Sequence, residues 1–512
     1  MKKIWLFMAV VAIVMTAWLA AQLYLYDDIA SQESDVCIWV SLARQLLDFG
    51  LVRGDLLTYY NRSIVDLLEA LPVVAIFGLS TQVALLTFAV PYAVAFAAAG
   101  HVVAWRREDG AWRFDTTLFL LFNLLAGSLF HYNTGHALTF ACASIAYGVF
   151  SQEDRVRTRI KWVVLAVVSF LGYVNDDFFV LMSILPVVGL NLLQWLFCRR
   201  LNLLSVPMLI GAGAGAALLK VLRTLQVVDY PRLELSLYSF DKMFEMLLET
   251  IKAYASNFMV LGLTAMPLKP AVMLQLAAYG AIAGLSVLAV AYAAWRVLSS
   301  RLDSRYDLDI VLLLAFCAVT GVYVFVASPT KPVNEMVPRY VYYGMVLMLM
   351  LLVRWWRSIL PTGRLRVLAL TLSVVLIVFS VRTNVVDKRA NAHARDRLVE
   401  VSERMRAEGI GIAYCEWWTA KALEAAAKGS IRVYPLAPTP HEFAPMDMYC
   451  LRRIYGEACH AVVLPNYRAH YPVAVAEATI RNRIGAPSRE LVSNGFKVLV
   501  YEKDLALRPR TD

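Results

Sequence analysis

Charge is scarce in this chain. Asp, Glu, Lys and Arg make up 17% of its 512 residues while 60% are hydrophobic, a balance that excludes an ordinary water-soluble globular protein. The seven cysteines form no CxxC pair and no Cys/His zinc spacing, which removes the structural-zinc and thioredoxin-like classes. No internal repeat is evident in the sequence, which leaves open only a weak inverted repeat of the transporter type. The net charge of +10 invites a nucleic-acid partner, but the basic residues are dispersed in short clusters between apolar runs and form no single patch.

What is present is a series of apolar runs long enough to cross a roughly 30 Å hydrocarbon core. The spans read as Ile4–Gln22, Ala84–Ala104, Thr116–Phe130, Ala137–Phe150, Trp162–Tyr173, Phe179–Phe197, Leu203–Leu222, Val272–Trp295, Ile310–Ala327, Tyr340–Leu352 and Val367–Val381. The first follows Met-Lys-Lys like a signal peptide but lacks a small-x-small cleavage site before Asp27, so it reads as a retained span. Every second loop carries the arginines and lysines: Lys2 and Lys3, Arg106 to Arg113, Arg155 to Lys161, Arg199 and Arg200, Arg296 to Arg305, and Arg354 to Arg366. The positive-inside rule places these in the cytoplasm and both His131–His136 and Asn175–Asp177 outside. Eleven spans then leave the C-terminus external. Ile64–Ser80, interrupted by Asp66, Glu69 and Pro72, reads as an interfacial or re-entrant helix.

Two external amphipathic helices are expected. In the first external loop Val36, Trp39, Val40, Ala43, Leu46 and Leu47 repeat at helical spacing between Ser34 and Gly50, a pattern that suits a helix lying in the interface. In the second, Phe240, Met243, Phe244, Leu247, Leu248, Ile251 and Tyr254 make the apolar face. After Val381 the composition turns polar, and short apolar strands alternate with helices, predicting a small soluble α/β domain. Strands are expected at Ile410–Tyr414, Ile431–Leu436, Ala461–Leu464 and Lys497–Glu502, with helices at Lys388–Glu408, Thr419–Lys428, Met446–Tyr455 and Val473–Ile484. This domain has no GxGxxG, Walker A or GxSxG motif. The domain reading is 1–382, a membrane module with external loops 23–83 and 223–271, followed by 383–512. Cys415, Cys450 and Cys459 fall on a side where a disulfide is permitted.

Four groups of residues are candidates for chemistry. Asp27 and Asp28 end the first span, and Asp176 and Asp177 end the fifth on the same side. Convergent carboxylates hold a divalent cation such as Mg or Mn, or raise one another's pKa until one works as a base; single acids at such places also serve as helix caps. His131 and His136 lie in the turn FHYNTGH, suited to a phosphate or to a plain interfacial belt. Lys331 and Arg339, the latter followed by Tyr340, stand externally against the positive-inside trend, and the guanidinium fork matches either phosphate or one of the aspartates. Tyr414, Trp417 and Trp418 are candidates to stack on a sugar, or to fill a core.

The layout resembles the GT-C superfamily of integral-membrane glycosyltransferases: an acidic first external loop with an interfacial helix, a second such loop, an external Arg339–Tyr340 at the start of a late span, and a terminal α/β domain. That resemblance implies a polyprenyl-phosphate sugar donor, with the family's first-loop carboxylate at Asp27 or Asp28 and its Arg-Tyr at Arg339 and Tyr340. The expected activity is sugar transfer to a cell-envelope glycan or protein on the periplasmic side of the bacterial inner membrane, with inversion. A transporter or flippase of a lipid-linked substrate, and an O-antigen-ligase-like or polymerase enzyme, are the competing readings. A nucleic-acid partner is not expected.

Overall fold

The structure, a computed structural model, describes residues 34–50, 57–58, 64–108, 111–129, 136–151, 158–199, 201, 203–229, 236–260, 264, 269–300, 306–327, 341–436, 457–465 and 477–505. The chain divides into two compact units, one of Met1–Val90, Leu219–Pro231 and Asn384–Asp512, the other of Pro91–Leu218 and Arg232–Thr383. The span expected at Ile4–Gln22 lies outside the described residues.

The second unit is a helical bundle. Its helices are the far part of α3 (Thr81–Ala104), α4 (Thr116–Ser128), α5 (Ala137–Ser151), α6 (Thr158–Asn175), α7 (Leu185–Cys198), most of α8 (Ser205–Thr224), α9 (Phe240–Asn257), α10 (Pro270–Ser299), α11 (Asp307–Phe325), α12 (Tyr342–Ile359) and the start of α13 (Gly363–Ala407). Among the described residues seven helices are long and apolar enough to cross a membrane, and α4 and α5 are shorter apolar ones. The protein is therefore a multi-pass helical membrane protein: nine of the eleven expected spans coincide with these helices, and a tenth, Tyr340–Leu352, coincides with α12.

Helix α12 is the centre of this unit. Its residues from Tyr342 to Val353 are all buried, as expected of a helix apolar on every side, and α4, α10 and α11 pack around it. Polar groups at its far end are paired. Asp309 on α11, fully buried, accepts from Arg354 Nε at 2.6 Å, Arg354 Nη2 at 3.2 Å and Trp355 Nε1 at 2.9 Å, which resolves the cost of an ionised group at that depth. Asp115 caps α4, its Oδ1 accepting from Thr117 and Leu118 N–H while Oδ2 accepts from Arg357 at 2.7 Å. The hairpin β2–β3 (Trp105–Glu108 and Ala111–Phe114) joins α3 to α4 at this arginine-rich end. Close helix approach depends on glycine: a Cβ at Gly211 on α8 would lie 2.1 Å from the carbonyl oxygen of Ala166 on α6, whereas one at Gly213 would meet nothing within 4 Å.

The first unit contains α1 (Ser34–Phe49), α2 (Ile64–Phe77), a two-residue parallel pairing of β1 (Leu57–Thr58) with β4 (Val228–Asp229), and the C-terminal α/β domain. That domain is a five-stranded sheet in the order β10-β11-β9-β7-β8, built from β7 (Ile412–Glu416), β8 (Arg432–Leu436), β9 (Ala461–Pro465), β10 (Arg489–Ser493) and β11 (Phe496–Val500). β7 runs parallel to β8 and β9, and β11 is antiparallel to β9 and β10. Helix α14 (Trp417–Ala426) makes the β7–β8 crossover, and α15 (Glu477–Ile484) precedes β10.

Three sequence expectations need correction. The last span and the helix expected at Lys388–Glu408 are one continuous helix, α13, since no proline or glycine interrupts it between Arg364 and Ala407. Part of the apolar face of α1 is covered by protein: Val40 and Ala43 are fully buried while Leu47 is 45% exposed, and α1 packs on α2 and α14. Strand β10 was not expected. It is the partner of β11 across Asn494 and Gly495, both with positive φ (30° and 90°), the two-residue hairpin signal of an Asn-Gly pair.

Candidate active site

The polar groups of interest gather where α5 and α12 begin and α6 ends. His136 precedes α5 with φ at +75°, a left-handed conformation that costs a non-glycine residue energy and persists only under tertiary restraint. The restraint is visible. Its Nδ1–H donates to Asp176 Oδ2, and its ring lies 4.6 Å from that of Phe178 between centroids, tilted by 32°. An ionised carboxylate only accepts hydrogen bonds, so this pairing leaves Nε2 as the imidazole's position for a ligand.

Asp176 is itself fixed on both oxygens, since Oδ1 accepts from the Phe178 N–H at 2.9 Å. The neighbouring Asn175, also buried, donates from Nδ2 to Thr139 Oγ1 on α5 at 3.3 Å. Beyond the turn the chain winds through a π-helical stretch, Val180–Ile184, before α7. The extra residue of such a turn frees a carbonyl from the helix ladder, and the Tyr147 hydroxyl of α5 donates to Met182 O. Helix α5 thus supports the Asp176 turn at Thr139 and Tyr147 and faces it with His136. From α12, Tyr343 closes the group, with ring centroids 6.3 Å from His136, 6.5 Å from Phe178 and 5.0 Å from Phe140. Tyr92 of α3 is hydrogen-bonded to Tyr343.

Of the residues expected from sequence, the structure brings His136 and Asp176 together. Asp177 is exposed beside them. Among the described residues no group of three or more His, Cys, Asp or Glu is placed to hold a metal ion. Asp27, Asp28, His131, Lys331, Arg339 and Tyr340 lie outside the described residues. Tyr414 is fully buried, its ring 5.7 Å from that of Tyr434, the core placement that was the other reading of this aromatic. Trp417 and Trp418 open α14, with side chains outside the description. Phe178 and Tyr343 were not singled out from sequence, although both adjoin expected sites, one after the DD pair and one after Arg339–Tyr340.

No family model and no curated protein matches the chain by sequence. Its fold does match a solved structure, the crystal structure of ArnT from Cupriavidus metallidurans bound to undecaprenyl phosphate, with a TM-score of 0.53 and 12% identity over 99% of each chain. The chain has this GT-C fold.

Proposed function

We propose that this protein is a membrane glycosyltransferase that passes a sugar from a polyprenyl-phosphate donor to an acceptor of the cell envelope. The observation that carries the reading is the end-to-end likeness of fold to a protein whose crystal holds undecaprenyl phosphate. The positive-inside rule adds the side: the arginine-rich end faces the cytoplasm of a bacterial inner membrane, and the His136 end faces the periplasm.

In this reading the carboxylate of Asp28 or Asp27 takes the proton from an acceptor hydroxyl as its oxygen attacks the anomeric carbon. The new glycosidic bond forms on the face opposite the departing lipid phosphate, which gives inversion. Arg339, supported by Lys331, neutralises the charge that develops on that phosphate, with a divalent cation at Asp176 and Asp177 as the alternative source of positive charge. His136 offers Nε2 to a phosphate oxygen, oriented by Asp176. Polyprenyl phosphate is a good leaving group and calls for no general acid.

Sugar transfer by the purified protein, with radiolabelled lipid-phosphate sugar as donor, tests this reading. Asp27→Asn combined with Asp28→Asn should abolish transfer while leaving expression and folding intact, and full retained activity in that variant rejects the assignment.

A further inference from the structure

Helix α9 leaves an apolar stripe uncovered among the described residues. Phe240 is 84% exposed, Phe244 61% and Ile251 55%, with Leu247 and Leu248 between them, while the opposite face buries Met246, Thr250, Ala253 and Asn257. The flanking charges are paired within the helix, Lys242 with Glu245 and Lys252 with Glu249, each at 2.6 Å. An apolar stripe between self-paired charges suits a helix lying on hydrocarbon.

Two anchors hold α9. Before its first turn, β5 (Ser236–Leu237) pairs with β6 (Val326–Ala327), and Tyr238 N–H donates to Phe325 O at 3.0 Å. Near its last turn the Tyr254 hydroxyl shares a 2.8 Å hydrogen bond with Thr320 Oγ1. Phe325 and Thr320 are only about 8 Å apart along α11 whereas α9 is about 27 Å long, so α9 crosses the end of α11 instead of running its length. The Tyr254 ring also sits directly on Gly344 of α12. A Cβ at Gly344 would come within 2.0 Å of the Tyr254 hydroxyl oxygen and 2.9 Å of Cζ. Gly344 adjoins Tyr343, whose ring lies against His136 and Phe178. Adjacent residues of one helical turn therefore seat the lipid-facing helix and border the candidate site.

We propose that Tyr254 is a positioning residue, which through its seat on Gly344 and Thr320 couples a polyprenyl chain lying along the α9 stripe to the His136–Asp176 end of the bundle. This rests on the transferase reading. The occupant is the donor's own chain, because the stripe extends over about 17 Å from Phe240 to Ile251, is wholly apolar, and ends at the turn that carries Tyr254.

The test compares kcat/KM of the full-length protein for two donors with the same sugar phosphate, one on an undecaprenyl chain and one on a two-isoprene chain. Gly344→Ala should lower the undecaprenyl rate by about tenfold or more and the short-chain rate much less. Alanine is the better helix former, so the loss has to come from the displaced ring. Adding Tyr254→Phe, which removes the atom at the closest contact, should restore part of it. Tyr254→Leu, which leaves Gly344 untouched, should show the same chain-length-selective loss. Equal losses with both donors, or no loss, overturn the coupling and leave Tyr254 a packing residue or a contact to bulk lipid. Absence of transfer by the wild-type protein with either donor overturns the transferase reading, and this inference with it.

Discussion

Replacing Lys421 by methionine should open the C-terminal domain, and Cys459 should report it. The Lys421 ammonium and the Glu424 carboxylate are 0% and 2% exposed. Nζ donates to Glu424 Oε2 at 2.7 Å and to Val433 O at 3.2 Å, and Glu424 Oε1 accepts from Gln45 of α1 at 3.4 Å. At the effective dielectric suited to protein sites the direct attraction at that distance is about 6 kcal/mol. Desolvation of the two ions cancels most of this, so the intact pair adds little net stability, but a single deletion strands a buried charge at a cost of about 3–5 kcal/mol. Cys459 is fully buried, its thiol is pushed up to about 12 by burial, and Sγ donates to the Ala461 carbonyl at 3.5 Å. Alkylation of Cys459 thus reads the open population of the domain. Lys421→Met should speed it by about 10² to 10³-fold or more, and the double variant Lys421→Met/Glu424→Leu should return it to within about tenfold of wild type. Peptide-resolved mass spectrometry of iodoacetamide labelling measures the rate. Equal labelling of the single variant and wild type would refute the reasoning, as would a double variant no better than the single one.

Two further perturbations follow from packing and charge. Gly211→Ala should destabilise the bundle by about 1–3 kcal/mol, because its Cβ meets the Ala166 backbone, which cannot swing aside; Gly213→Ala, which faces open space, should be neutral or slightly stabilising, and thermal unfolding in detergent compares them. Acidification should loosen the domain's edge: Glu477, bonded to Lys497 and Arg481, and Glu490, bonded to Arg481 and Lys497, are held below their ordinary value of 4.5. That stability is present above pH 4.5 and is lost as pH falls through the lowered values, so the protection factors of β10 and β11 amides, taken relative to intrinsic exchange at each pH, should fall at low pH in the wild type, with a smaller fall in Lys497→Met.

Much of this architecture is legible in the residues, for physical reasons. Spans are dictated by unbroken apolar length, and charge placement dictates their ends, so Ala137–Phe150 and Val272–Trp295 could be drawn from composition alone. What covers an amphipathic face is a tertiary fact. Val40 and Ala43 of α1, and Phe240 and Phe244 of α9, give the same helical periodicity, yet the first pair is buried against protein and the second is left uncovered. Asp309 stands one residue before the expected span Ile310–Ala327, and its partners, Arg354 and Trp355, are 45 and 46 residues away, a separation at which only the fold pairs them. The Asn494-Gly495 turn is a local signal of the β10–β11 hairpin. At the candidate site the titratable residues His136 and Asp176 could be singled out by type, whereas Phe178, Tyr343 and Tyr92 are ordinary membrane aromatics until packing brings them together.

The most direct measurement is mass spectrometry of envelope glycans, lipid carriers and surface glycoproteins from a strain lacking this protein, complemented with wild type or with the Asp27→Asn/Asp28→Asn variant. A single missing sugar with accumulated polyprenyl-phosphate monosaccharide, restored by wild type and not by the variant, is the predicted result. Unchanged glycans, or full rescue by the variant, would contradict it.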